Sequence, residues 1–473
     1  TVCRWRTPSG NDLLLVYQKD YGEDEVLPDG KTVVSINFTG DNHGPHSYER
    51  VKKIYADLRK RYPQAQLVGA SFNDVARELL LIKKDLPVVT SEIGDTWIFG
   101  YGGAPIRMAK FRAVSRLYSQ WLNEGKIKKD SDVALDFAAE LGLIAEHTQG
   151  VDVKTHLRQW DKYDMDKFLK GRSEGVFSMA EASWKEIDNY IDSAIAFLPA
   201  SLQKEAREVV AEVDKVKLED NSKMKPMARK RWEQPIAGGM TLAGLSYQMF
   251  DGDDYDDFQN RYLRARYEWA LDDLGKRGLK ESHAVSVTLY AQTMAQSVRK
   301  EKKGTRIITE LRFPENEKVD KRVYPERIQV NCFTTKNGKR SEVALTIYGK
   351  PAVRLPESYW LSFTVPGIEL VIAEKMGERV NLMDVVEKGN RQMHGIDRYV
   401  DLITSGETIR ISSKEAFLLN VGEAQGLNYS TNYPDKRKGV HFNLNNNLWG
   451  TNFSMWNEGS LTYHFVIETL SRK

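Results

Sequence analysis

The feature that most constrains this chain is that its hydrophobic period changes twice along its length. Up to about residue 104, short apolar runs alternate with helical patterns. Leu13 to Tyr17 and Val33 to Phe38 read as strands, and Tyr48 to Tyr62 carries Val51, Ile54, Tyr55 and Leu58 at helical spacing. Gln66 to Ala70, Asn73 to Lys84 and Leu86 to Val89 then read as strand, helix and strand. Such alternation predicts a parallel sheet covered by helices, with functional loops after the strands at 39–47, 69–73 and 92–104. So few parallel strands would leave edges unpaired and a face uncovered, so further strands are expected to precede Thr1.

From Pro105 the period becomes 3.6. Pro105 suits a first helical turn, and Ile106, Ala109, Ala113, Leu117 and Trp121 share one face. A second helix is predicted from Asp130 to Ser131 onward, with Val133, Phe137, Leu141 and Ile144 on one stripe. Further helices are predicted over about Ser178 to Phe197, Leu202 to Leu218 and Asp254 to Lys276. Beyond Arg306, β-branched and aromatic runs bounded by Gly, Pro and Asn turns predict an antiparallel sandwich. The expected organisation is therefore a partial α/β catalytic-type domain over 1–104, a helical domain over 105–305 with a β-like interruption near 236–250, and a C-terminal β-sandwich over 306–473.

Charge excludes one class of partner. The 69 Lys and Arg nearly balance the 66 Asp and Glu, so no strong basic field exists to attract nucleic acid. No apolar run approaches the roughly 18 to 20 residues that span a bilayer, and no signal-like segment opens the chain, which reads as soluble. Cys3 and Cys332 build neither a disulfide framework nor a thiolate zinc site. The Asn-x-Ser/Thr sequences at Asn37, Asn428 and Asn452 occur about as often as an Asn-rich chain produces by chance.

Five segments carry residue types suited to chemistry. In Thr39 to Pro45, Asp41 is a candidate acid/base carboxylate beside His43, and the same residues also suit a helix-opening turn. In Ser91 to Tyr101, Glu92 and Asp95 with Trp97 and Tyr101 combine acids for sugar hydroxyls with rings for a sugar face; the alternative is a glycine-rich loop whose aromatics close the bundle. His147, three residues beyond Ile144, is expected to face packed structure, as an interior histidine or as a metal ligand completed by distant residues. His394 within Asn390 to Gly395, and Asn446 and Trp449 within His441 to Phe453, suit glycan binding, or turn-stabilising structural duty.

Taken in order, Gly40 to Pro45, Leu86 to Val89 with the Glu92 loop, Glu146-His147-Thr148 and the β-rich remainder resemble landmarks of glycoside hydrolase family 38, the class II α-mannosidase-like enzymes. The segments Glu92 to Gly100 and Asn445 to Phe453 resemble an uncharacterised branch of that superfamily. The resemblance implies a zinc-dependent retaining glycosidase acting on α-linked sugars such as α-mannosides, with His147 a zinc ligand and Asp41 near the acid/base carboxylates. Glu92, Asp95, Trp97, Tyr101, His394, Asn446 and Trp449 would then be substrate-binding residues. Retention needs two carboxyl groups about 5 to 5.5 Å apart. The sequence departs from the family where Glu146 stands for a His, Thr148 for an acid and Asn42 for an acid, and no His-x-Asp motif precedes residue 39. The expectation is a glycosidase-like protein whose nucleophile comes from a preceding segment or companion chain, the isolated chain being inactive; the alternative is a non-catalytic glycan-binding or assembly protein.

Overall fold

The computed structural model describes residues 1–470 except 19–21, 41–42, 94–95, 221, 223, 230, 264–265 and 428. The chain forms two compact units, Thr1–Glu92 and Ile93–Lys473.

In the first unit, strand Val2–Arg6 pairs antiparallel with Asp12–Val16 and parallel with Val88–Val89, and Asp24–Val26 pairs with Val33–Ser35. Helices α1 (Tyr48–Arg61) and α2 (Phe72–Leu81) begin at Ser47 and Ser71, whose hydroxyls accept from Arg50 N and Asp74 N. Val2, Leu27, Val34, Leu79 and Leu86 form its core. This corrects the expected parallel sheet: among the described residues only Val2–Arg6 with Val88–Val89 is parallel. The tight turn closed by Thr7 N donating to Asn11 O at 2.9 Å folds the chain straight back, which makes an antiparallel pair. Residues 66–70 form no strand; Val68 is exposed, so the run has no buried face to fix a register.

The second unit opens with a 3-10 helix, Thr96–Gly103, and then a helical layer. Its helices are α3 (Pro105–Asn123), α4 (Asp132–Gly142), α5 (Val153–His156), α6 (Met165–Ser173), α7 (Ser178–Ala196) and α8 (Ala200–Asp214). Pro105 lies in the first turn of α3, where its missing N–H costs nothing, and Ser131 caps α4 by accepting from Ala134 N. Val114 and Trp121 of α3, Phe137 and Leu141 of α4, Ile191 and Ile195 of α7, and Leu202 and Ala206 of α8 bury one shared core. Trp121 donates its indole N–H to Glu205 Oε2 at 2.9 Å, so this core tryptophan is satisfied as well as buried.

Two large antiparallel sheets complete the unit. Among the described residues one sheet has ten strands, running edge to edge as Glu378–Asn381, Leu370–Lys375, Tyr399–Ile403, Thr408–Ser413, Gly459–Leu470, Arg340–Lys350, Arg327–Thr335, Gly304–Arg312, Gln292–Glu301 and Lys225–Arg229. The other runs Met393–Gly395, Leu418–Val421, Val440–Asn446, Glu357–Thr364, Thr241–Met249 and Gln234–Pro235, with Val287–Tyr290 also on Thr241–Met249. Phe363 and Phe442 of this sheet meet Phe465 of the other with ring centroids 5.4 and 5.1 Å apart, so the sheets share a core as a sandwich does. The β region begins earlier than the expected 306. The last long helix ends at Asp214, strands from 225 to 301 join the two sheets, and the predicted helix over 254–276 is two short ones, α9 (Gly252–Tyr262) and α10 (Glu268–Asp273). No described helix is long and apolar enough to cross a membrane.

Candidate functional site

A concave site in the second unit lies at the start of α3, against α7 and the chain just before strand Gly459–Leu470. It is a cavity of about 320 Å³. Arg107 forms its floor. The guanidinium is nearly fully buried and donates Nε to Asp188 Oδ1 at 2.5 Å, Nη1 to Gln149 Oε1 at 3.0 Å and Nη2 to Trp184 O at 2.8 Å. A buried guanidinium this fully bonded is rigid, and it holds the Asp188 carboxylate in place. Asp188 keeps 55% of its side-chain surface exposed, so the carboxylate remains open to a ligand.

Trp184 supplies an aromatic wall. Its half-buried ring stands edge-on to the buried Trp456, with centroids 4.7 Å apart and planes at 83°, and Trp456 is clamped by Phe168 and Phe177 at 4.8 and 5.2 Å. Trp184, Asp188 and Asp192 recur every four residues along α7 and therefore line one face. Each acid facing the cavity is held by a base: Asp188 by Arg107, Asp192 by Arg207 at 3.2 Å, and Glu458 by Arg172 at 2.5 Å. A preformed concavity on the order of 300 Å³ with an aromatic wall and convergent polar groups is the geometry of a small-ligand site. A ring face that packs on C–H bonds, beside carboxylates that accept from hydroxyls, suits a sugar.

None of these residues was singled out from sequence. The signal was present in the i, i+4, i+8 row of Trp184, Asp188 and Asp192, but an aromatic and two acids at helical spacing equally describe a solvated helix face.

The structure distributes the sequence-selected residues differently. Asp41 and Asp95 lie outside the described residues. Glu92 is half-buried at the end of the first unit, and Trp97, Tyr101 and His147 belong to the second. Trp97 and Tyr101 both pack on Phe453, at 5.8 and 5.7 Å, and Trp97 meets His147 edge-on at 6.3 Å. Gly100 permits this approach, because a Cβ there would lie 2.3 Å from the Phe453 ring. Tyr101 donates its hydroxyl to Ala145 O at 2.7 Å, and burial, helped by the nearby Glu146 charge, pushes it up to about 12. Burial pushes the Glu146 carboxyl up, but hydrogen bonds from Thr148 and the His147 charge outweigh it and hold the group below its usual range.

His147 does not face packed structure as expected: its side chain is 64% exposed. The helical period ends before it, since a 3-10 turn over Leu143–Ala145 leads to Glu146 in extended backbone. Its Nε2 lies 3.3 Å from the adjacent Glu146 carboxylate, and among the described residues no group of three or more His, Cys, Asp or Glu could hold a metal ion. These described residues do not fit a zinc centre.

Three of the proposed sugar contacts lie in the core. Asn446 is fully buried, donating to Phe99 O at 2.9 Å and Asn443 Oδ1 at 2.8 Å and accepting from Leu448 N at 3.2 Å. Trp449 is buried against Phe258 at 5.5 Å, and buried His394 places Nε2 3.0 Å from Arg391 O. A sugar could reach these side chains only by displacing the packing around them.

A family model described as a domain of unknown function (DUF5054) matches residues 102–234, the stretch that contains Arg107, Trp184 and Asp188. Two solved structures are similar across 100% of this chain and 69% of their own. One is an α-mannosidase from Enterococcus faecalis V583, with a TM-score of 0.49 and 9% identity. The other is a protein in glycosyl hydrolase family 38 from Enterococcus faecalis, with a TM-score of 0.44 and 9% identity. The comparison with curated proteins found no match.

Proposed function

We propose that this is a glycoside hydrolase-like protein that engages carbohydrate in the cavity between α3 and α7. The observation that carries the proposal is the half-buried Trp184 ring lining the cavity beside the Arg107-anchored Asp188 carboxylate. The sequence resemblance to glycoside hydrolase family 38 extends the reading to α-linked sugars, α-mannosides first. The cavity favours binding at this position: Asp188, Asp192 and Glu458 are each tied to an arginine, which fixes their oxygens as acceptors for sugar hydroxyls.

Titration of the full chain with α-linked manno-oligosaccharides, followed by tryptophan fluorescence, tests the reading. Trp184→Ala should weaken binding about tenfold or more, equivalent to about 1.4 kcal/mol, while the melting curve shows the variant still folded. Equal affinity in wild type and variant would remove the cavity as the sugar site. Release of phenol from aryl α-mannosides, with zinc and with chelator, is the parallel assay for an active centre elsewhere.

A further inference from the structure

A second, much smaller cavity lies on another part of the same unit, and its lining carries more basic than acidic groups. Arg354 is 2% exposed and follows strand Arg340–Lys350. Its guanidinium lies over the Tyr163 ring at 4.1 Å and near Phe177 at 5.2 Å, and its hydrogen bond is a long one, Nη1 to Trp160 O at 3.4 Å. No carboxylate among the described residues lies within ion-pair distance of it. Lys276, just past α10, lines the same cavity and donates Nζ to Trp449 O at 3.0 Å, again with no carboxylate partner among the described residues.

The lining's acid, Asp272, is 3.6 Å from a third basic group, Arg277, which itself stacks on Trp160 at 5.1 Å. Two arginines and the Lys276 amine therefore line, with one carboxylate, a space of about 10 Å³, room for one water-sized body. A buried charge costs several kcal/mol unless it is compensated. Aromatic faces, one carbonyl and the more distant Asp161 carboxylate compensate Arg354 only in part. Protein surrounds the ammonium of Lys276, and that burial, reinforced by the Arg354 charge, holds it down to about 7.

We propose that this cavity binds a monoatomic anion, a halide such as chloride, between the Arg354 guanidinium and the Lys276 ammonium. The small space favours a monoatomic ion over phosphate, sulfate or a ligand carboxylate, and the excess of basic lining groups favours an anion over water. Bound there, a halide ties the connection before Glu357–Thr364 to the segment after α10 and to the Trp449 backbone.

The test uses the full chain crystallised in sodium bromide, with anomalous differences collected at the bromine edge. The expected result is a peak between Arg354 and Lys276; a folded protein with no anomalous peak there, or with water alone, overturns the proposal. In solution, melting temperature at constant ionic strength should rise saturably when gluconate is exchanged for bromide. Lys276→Met should shift that saturation to about tenfold higher bromide or more. Identical melting in the two salts overturns the proposal without any variant having to fold.

Discussion

Replacing Asn446 with Ala separates a structural amide from a sugar contact. The substitution removes the side-chain hydrogen bond to each of three buried groups: the Phe99 carbonyl, the Asn443 side-chain oxygen and the Leu448 N–H. Each orphaned buried polar group costs about 1 to 3 kcal/mol, and water entering the vacated space recovers part, so a loss of about 3 to 6 kcal/mol is expected. The Phe99 contact matters most, because it fastens the 3-10 helix Thr96–Gly103 to strand Val440–Asn446 across a long stretch of chain. A unit this large unfolds with an entropy near 2.1 cal/mol/K per residue, so the expected fall in its melting temperature is about 4 to 7 °C. Differential scanning calorimetry of wild type and variant reads the shift directly. A fall of less than about 1 °C, with loss of glycan binding, would show that Asn446 works as a ligand and not as a fastener.

Three further outcomes follow from the same geometry. Lys350→Met should cost about 3 to 5 kcal/mol in urea denaturation, because Lys350 Nζ lies 2.5 Å from Glu357 Oε1 and both side chains are almost wholly buried; adding Glu357→Gln should recover much of the loss. His441 is 7% exposed beside Ser362 Oγ at 2.8 Å, and burial pushes its imidazole down to about 4. Its folded value lies below the unfolded value of about 6.5, so its contribution is complete above pH 6.5 and is lost as pH falls towards 4, up to about 3 kcal/mol; His441→Gln should flatten that part of the stability-pH curve measured by denaturant titration. Gly102→Ala should loosen the Thr96–Gly103 helix, since a Cβ there would lie 2.2 Å from Asn446 Nδ2, read as a lower melting temperature of the second unit.

The helices were the most legible part of the chain. Pro105 and Ser131 mark starts that the structure keeps, and the stripes through Trp121, Phe137 and Leu141 do point into one core. The β boundary was harder, because strand Gln292–Glu301 has mostly half-buried or exposed side chains and carries Arg299, Lys300 and Glu301, so it shows no apolar alternation. His147 was misplaced by extending a helical stripe past the point where the backbone leaves the helix. The amide-rich segment His441 to Phe453 was visible, but the inward direction of Asn446 depends on the register of strand Val440–Asn446 beneath Phe99. The Arg107, Trp184 and Trp456 site joins α3, α7 and the chain before the last strand. No local pattern carries such a constellation, because it exists only once the helical layer meets the sandwich.

A crystal structure of the full chain with an α-linked manno-oligosaccharide tests the carbohydrate reading most directly. The account predicts a sugar ring packed on Trp184 with a hydroxyl donating to Asp188, and Arg107 unmoved beneath it. A sugar bound elsewhere, with the cavity between α3 and α7 empty, would contradict it.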